Sequence, residues 1–117
     1  MNANEKRYIV RSTDDVEPVK CSCGSSTRVI TRTDTETASL HVTHIQDSRK
    51  HYHEHCTEYY YIVEGNGRME LDDDVVELKP GTTIVIEPGT AHRGWGDFKA
   101  VIVGIPAWDE KDEVLCD

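Results

Sequence analysis

Short runs of β-branched and apolar residues, each ended by turn-forming residues, constrain the fold of this chain more than any other feature. The runs stand at residues 27–30, 38–42, 59–63, 75–78, 82–86 and 100–105, at nearly even spacing. Residues 38–43 alternate apolar and polar side chains, as expected of a half-buried strand. No segment repeats its apolar residues with the period of a helix. Many short strands joined by turns predict an all-β sandwich or barrel.

Glycine, proline and aspartate predict where these strands turn. We expect turns at residues 64–67, where Asn66-Gly67 supplies positive φ angles, at residues 72–74, and at the two Pro-Gly pairs that follow. The aspartates at residues 72–74 lack the further ligands of a calcium loop, so we interpret them as a solvated turn. Near the N-terminus, residues 7–11 could supply one edge strand.

Composition limits the size of the fold and the kinds of partner. A chain of 117 residues is long enough for one domain with one core. Its 13 basic and 22 acidic residues give a net charge of −9, which disfavours binding to nucleic acid and to acidic membranes. No apolar run approaches the ~18 residues that span a bilayer, and we see no secretory signal, so a cytoplasmic location is expected.

The four cysteines are Cys21, Cys23, Cys56 and Cys116. In a cytoplasmic chain we expect them to be thiols rather than disulfides. Cys21 and Cys23 also raise the alternatives of a metal site or a redox sensor. Structural zinc sites, however, use two cysteine pairs at wider spacing, so we interpret both residues as loop thiols.

The sequence His-Tyr-His-Glu-His-Cys-Thr-Glu at residues 51–58 carries the strongest chemical signal. Residues two apart on a strand point to the same face, so His51 and His53 aim two imidazoles at one point. Glu58 can add a carboxylate after a short bend, and His92 is the obvious donor from another strand. His55 shares the face of the first two histidines if the strand continues, so it could compete with Glu58.

Three imidazoles and one carboxylate suit one divalent transition metal ion per chain, namely Fe, Mn, Ni, Zn or Cu. Four protein ligands leave up to two octahedral positions open, which distinguishes a reactive or ligand-binding site from a closed structural one. His41 and His44 lie on opposite faces of one strand, so at most one of them can point inward. We interpret both as plain strand residues.

Residues 51–65 resemble the first motif of the cupin family, G-x5-H-x-H-x3–4-E-x6-G. They match from the first histidine onward, and Ile45 stands where the leading glycine is expected. Residues 81–92 resemble the second motif, G-x5-P-x-G-x2-H-x3-N, with Glu87 in place of the first proline and Gly96 in place of the asparagine. These departures concern turns and a strand end, and they leave the ligand positions intact.

The resemblance implies an all-β fold in a single domain, a double-stranded β-helix or jelly-roll β-barrel. Residues 36–105 would form this cupin barrel. Residues 1–35 would form an N-terminal edge strand and loop packed on the barrel, and residues 106–117 an acidic C-terminal tail.

The resemblance also implies the ligand set. The metal would be held by His51, His53, Glu58 and His92, with Glu58 rather than His55 completing the site. Tyr60 shares the face of Glu58 and is the best hydroxyl donor near the metal, with a buried structural tyrosine as the alternative. The pocket should be small, and its apolar floor should consist of Ile62, Ile84 and Ile86.

Two classes of function fit these features. One is a metalloenzyme acting on a small oxygenated substrate, an acid, keto compound or sugar, as dioxygenases and isomerases of the cupin family do. The other is a non-catalytic module that uses the metal and barrel to hold a small molecule or sugar. The complete ligand set favours the enzyme. Outward-facing Tyr59, Tyr61 and Val63 predict a homodimer.

Overall fold

The computed structural model describes residues 6–116 of the chain. These residues form one curled sheet of nine antiparallel strands, so the all-β prediction is confirmed. Two single-turn 3-10 helices stand at Thr13–Asp15 and Glu110–Asp112, and residues 6–116 contain no α-helix. None of the helical turns in this part of the chain has the length and apolarity to cross a bilayer. The strands are β1 (Val19–Cys21), β2 (Gly24–Ile30), β3 (Ser39–Asp47), β4 (His51–His53), β5 (Thr57–Leu71), β6 (Asp74–Leu78), β7 (Thr83–Ile86), β8 (His92–Ile105) and β9 (Glu113–Leu115).

The long strand β8 closes the sheet into a jelly-roll barrel. One edge of β8 pairs with β3 and, at its first residue, with β4, while the other edge pairs with β5 along its whole length. Side chains alternate along β5, so that Glu58, Tyr60 and Ile62 are buried and the residues between them are exposed. This alternation places a carboxylate and a phenol inside the barrel.

The apolar core lies inside the barrel. Ile62, Met69, Phe98 and Ala100 are each at most 1% exposed. Full burial of an apolar side chain of the size of Ile62 or Phe98 contributes about 1.5–3 kcal/mol to stability. These side chains therefore hold β5 and β8 together inside the barrel.

The prediction of a turn at residues 64–67 was wrong, because these residues lie inside β5. The pairing register shifts between Ile62 and Glu64, and the strand then continues beside β8. Gly65 has φ +91°, and a Cβ added there would collide with the backbone carbonyl of Asp97. Gly65 thus allows two strands to approach each other closely and does not form a hairpin turn. The turns at residues 72–74 and at the Pro-Gly pairs are confirmed.

The two ends of the chain also differ from expectation. Residues 7–11 form no strand, and the edge strand of this end is β1. At the other end, β9 pairs with β4, so the acidic C-terminal segment adds a strand beside the two histidines of β4. The division of the chain at residues 35 and 105 stays a prediction.

The prediction that all four cysteines are thiols was wrong for two of them, since Cys21 and Cys23 form a disulfide. They stand at the turn that joins β1 to β2, and this turn brings their Cα atoms to 5.2 Å, within the range that a disulfide requires. Cys56 and Cys116 are free thiols, as expected.

Candidate metal centre

Two neighbouring strands bring three histidines together. His51 and His53 are alternate residues of the short strand β4, and His92 is the first residue of β8. His51 and His92 are direct cross-strand partners, with ring centroids 4.3 Å apart. The ring of His53 lies 5.7 Å from that of His92. The same-face argument for the histidines of β4 therefore agrees with the structure.

Glu58 completes the cluster from β5. Its Oε1 lies 3.0 Å from Nε2 of His53 and 3.2 Å from Nε2 of His92. The ligand atoms of the four predicted residues all lie within 4.8 Å of one another, and three of the four residues are buried. The structure thus brings together His51, His53, Glu58 and His92, although His92 stands 34 positions after Glu58 in the sequence.

The short contacts of Glu58 are not hydrogen bonds. Oε1 of Glu58 and Nε2 of both His53 and His92 are buried, and none of these atoms has an aligned hydrogen-bond partner. Leaving buried polar atoms unpaired costs about 1–3 kcal/mol each. Nitrogen and oxygen atoms that lie within 4.8 Å of one another and are not paired by hydrogen bonds are what a cation among them requires. This chemistry fits a metal ion.

Backbone carbonyls orient two of the imidazoles. Nδ1–H of His51 donates to the carbonyl of Arg49 at 2.7 Å, and Nδ1–H of His92 donates to the carbonyl of Thr90 at 2.9 Å. In a neutral ring the other nitrogen, Nε2, then keeps its lone pair and faces the cluster. The backbone thus selects the tautomer that a metal ligand needs.

Electrostatics keep Glu58 ionised despite its burial. Burial by itself raises the pKa of this carboxyl, but the close contacts and charges of His53 and His92 outweigh it and hold the pKa well below its ordinary value. Burial lowers the pKa of His53, and the contact with Glu58 reverses that effect and raises it overall. The carboxylate is therefore available as an anionic ligand throughout the neutral pH range.

A cavity of about 350 Å³ opens on this cluster. Tyr60 lines it, only 5% exposed, with its ring 6.4 Å from that of His92. Burial, with a further contribution from the charge of Glu58, raises the pKa of Tyr60 well above its ordinary value, so the phenol stays protonated and can donate. The small pocket agrees with expectation.

The apolar lining of the cavity was assigned to the wrong isoleucines. Ile45 and Ile102 line the cavity. The expected floor residues Ile62, Ile84 and Ile86 do not line it, and Ile62 and Ile86 are almost fully buried. The strand register was right for Tyr60 but did not indicate at which depth of the barrel the cavity ends.

His55 lies outside the cluster. It is exposed, and its backbone N–H donates to Oδ1 of Asp112, while Oδ2 of the same carboxylate accepts from the N–H of Cys56. Glu54, His55 and Asp112 form a second group of ligand-type atoms on the surface. The hydrogen bonds of Asp112 account for this group as a support for the bend between β4 and β5.

Several further residues of the cavity carry functional groups that sequence reasoning missed, among them Arg28, Trp108 and Glu113. Arg28 comes from β2, and Trp108 and Glu113 come from the C-terminal segment. Oε1 of Glu113 lies 3.7 Å from Nε2 of His51. Arg28 stands two residues after buried Ser26 on β2, so the two side chains share a face, and this spacing could have indicated that Arg28 points inward. No motif marks Trp108 or Glu113.

Comparison with known families identifies the class of protein. Residues 40–103, more than half of the chain, match the family model described as the cupin domain, and the chain belongs to the cupin family. An uncharacterized protein of Methanocaldococcus jannaschii is 48% identical over 70 residues. That match covers 54% of this chain and 56% of the relative, so the chain spans just over half the length of this curated protein.

Solved structures with the same fold include enzymes. A protein from Planctomyces limnophilus has a TM-score of 0.84 and 28% identity, over 96% of this chain and 98% of its own. The Streptomyces nucleoside dehydratase Pac13 has a TM-score of 0.82 and 17% identity, over 93% and 91%. Ectoine synthase from P. lautus has a TM-score of 0.77 and 18% identity, over 94% and 91%. At such low identity the last two show the fold alone.

Proposed function

We propose that the chain binds one divalent transition metal ion through His51, His53, Glu58 and His92. The observation that carries this proposal is the convergence of four ligand side chains, three of which are buried and hold ligand atoms without hydrogen-bond partners. Imidazole and carboxylate ligands suit Fe, Mn, Ni, Zn or Cu. When bound, such an ion supplies a Lewis acid that orients and polarises a substrate oxygen.

We further propose a small metalloenzyme, of the dioxygenase or isomerase kind, that acts on a small oxygenated acid, keto compound or sugar. The cavity of about 350 Å³ opens directly on the cluster, so a ligand of this size can reach it. Tyr60 holds a proton at its hydroxyl and is the candidate donor to a substrate oxygen. Two proteins of the same fold are named as enzymes, a nucleoside dehydratase and an ectoine synthase, which supports catalysis by analogy of fold only.

Elemental analysis of untagged protein tests the metal proposal. We expect about one metal ion per chain and loss of that ion in the variants His51→Ala, His53→Ala and His92→Ala. His44→Ala is the matched control, because His44 lies on β3 and pairs with Asp97 on the surface. Full occupancy in all three site variants would overturn the assignment.

Ligand titration tests whether the site is open to substrate. The visible spectrum of the Co(II)-substituted protein should change and saturate when small chelating acids are added, and oxygen-consumption screening with the native metal should then identify turnover. Binding without turnover of any substrate would favour the non-catalytic binding module. An unchanged spectrum with cobalt bound would mean a closed coordination sphere and would remove the enzyme proposal.

We also propose a homodimer and a cytoplasmic location. The dimer rests on the outer face of β5, where Tyr59, Tyr61 and Val63 are 44%, 52% and 44% exposed. Val85 of β7, the cross-strand partner of Tyr59, extends this apolar patch and is 48% exposed. Water disfavours such a continuous patch, and a second copy of the chain would cover it.

A further inference from the structure

An arginine without an acidic partner lines the same cavity as the metal cluster. Arg28 lines the cavity, and its Nε is buried and has no hydrogen-bond partner. The chain has 22 acidic residues, yet none of the ion pairs in residues 6–116 involves Arg28. Holding a guanidinium in a partly buried place without a counter-charge costs free energy, so its presence needs an explanation.

Trp108 and Ser39 hold this guanidinium in place. Its central carbon lies 4.7 Å from the ring centroid of Trp108. The backbone N–H of Trp108 in turn donates to Oγ of buried Ser39 at 2.9 Å. A planar guanidinium stacked on an indole keeps its N–H edge free, and that edge matches the two oxygens of a carboxylate.

The strand register relates Arg28 to the metal cluster. Arg28 pairs with His41, His41 with Ile102, and Ile102 with Tyr60, so these four residues form one row across the inner face. Tyr60 follows Glu58 by two positions on the same face of β5. The charges of both Arg28 and Glu58 act on His41, the neighbour of Arg28 in this row.

Charged residues of both signs line the cavity, namely Lys20, Arg28, Arg49, Glu58, Glu110 and Glu113. Glu58 and Glu113 lie within 3.7 Å of histidines of the metal cluster. Burial and the charge of Arg28 lower the pKa of His41 to about 4, so this imidazole is neutral and leaves Arg28 as the cation of its row.

We propose that Arg28 binds a carboxylate of the ligand while a second oxygen group of the same ligand reaches the metal cluster. The ligand class is thus a short aliphatic acid with oxygen groups at both ends, such as a dicarboxylate or a keto acid. Arg28 is a specificity-determining residue in this arrangement. The metal end of the inference rests on the proposed metal site, whereas the carboxylate end rests on Arg28 and Trp108 alone.

The fluorescence of Trp108 tests the carboxylate end directly. The chain has two tryptophans, so Trp95→Phe leaves Trp108 as the sole reporter. This background protein is titrated with succinate and with neutral succinamide, both metal-free and loaded with Zn(II), which does not quench. We expect a saturable change with succinate, tighter binding with zinc, and no response to succinamide.

Variants of Arg28 test whether the fluorescence change on succinate binding depends on its guanidinium. Arg28→Met should weaken succinate binding about tenfold or more, because a charge-assisted pair is lost, and Arg28→Lys should retain part of the affinity. Arg68→Met is the control, since Arg68 is exposed and pairs with Glu77 on the hairpin of β5 and β6. Thermal unfolding of each variant confirms that it is folded.

The outcomes separate this inference from the metal proposal. Equal succinate affinity in folded Arg28→Met and its parent would overturn the inference, even if zinc binds, and so would tighter binding of inorganic phosphate than of any carboxylate. An Arg28-dependent response in protein that binds no metal would support the carboxylate end and remove only the metal proposal.

Discussion

His51 and His92 are paired residues on β4 and β8, and their rings lie 4.3 Å apart although 41 positions separate them in sequence. The pairing at this end of the barrel is short, since β4 has only three residues. A metal held by both histidines would therefore cross-link two strands that share few backbone hydrogen bonds. Metal binding and the stability of this end of the barrel should be coupled.

The first prediction is that metal stabilises the folded chain. A ligand that binds only the folded state adds about 2.7 kcal/mol to the free energy of unfolding at about 100 times its dissociation constant. Urea unfolding with added Zn(II) and with a chelator should differ by about this amount in the wild type and in His44→Ala. The same midpoint under both conditions in the wild type would contradict a metal site. In His92→Ala the difference should disappear.

The second prediction is that Glu58, and not His55, completes the site. Glu58→Gln removes the anionic ligand and should weaken metal binding about a hundredfold or more, on the order of 3 kcal/mol. His55→Ala should leave the affinity nearly unchanged, because the side chain is exposed and only its backbone N–H is engaged. Calorimetric titration of both variants with Zn(II) measures this. The reverse ranking would exclude Glu58 as the ligand.

Much of the site could be predicted because it depends on local periodicity. The same-face rule on β4 brings His51 and His53 together, and the family motif supplies Glu58 and His92. The rule does not say which face of a strand points inward. On β3 the apolar set that includes Leu40 is partly exposed, while Ser39 and Thr43 are buried and Thr43 lines the cavity.

Arg28 and Trp108 could not be predicted, because their meeting depends on the curvature of the whole sheet. Eighty positions separate them, and neither belongs to a motif. The prediction of a hairpin turn at Gly65 and Gly67 was wrong for a related reason. Their sequence is typical of a hairpin turn, but the approach of β8 to β5 sets the local backbone there.

The third prediction concerns pH and His41. Its pKa is about 4 in the folded chain against an ordinary value of 6.5, because burial and the charge of Arg28 oppose protonation. The folded state thus binds fewer protons between these values, so stability falls as the pH drops from 6.5 and levels off near 4. The loss is on the order of 2 kcal/mol after allowance for solvent screening of a partly exposed ring.

His41→Gln isolates this contribution. Urea unfolding in the presence of a chelator, at pH 7.0 and at pH 4.5, should show a smaller loss of stability in the variant than in the wild type. His44→Gln is the matched control on the same strand and should behave as the wild type does. An equal pH dependence in His41→Gln and the wild type would mean that His41 is protonated normally.

The fourth prediction is that the four cysteines react in three steps. Without reductant, iodoacetamide should label only Cys116, which is half-buried. Cys56 is 2% exposed, and burial with the charge of Glu58 raises its pKa to about 11, so little thiolate is present at neutral pH. After reduction, Cys21 and Cys23 should be labelled as well, and after denaturation Cys56 should also be labelled. Mass spectrometry of the intact protein counts the labelled cysteines after each step. Labelling of Cys21 or Cys23 before reduction would contradict the disulfide.

The fifth prediction is a dimer through the outer face of β5. Light scattering should give twice the chain mass of 13.3 kDa at micromolar concentration. Tyr61→Asp places a charge in the centre of the patch and should yield the monomer, with Zn(II) affinity unchanged because Tyr61 is exposed while its neighbour Tyr60 lines the cavity.

Val75→Asp is the control, since Val75 is 55% exposed on β6, which pairs with a different part of β5. A wild-type mass of 13.3 kDa across this range would rule out the dimer, and equal dissociation by both substitutions would mean that the interface lies elsewhere.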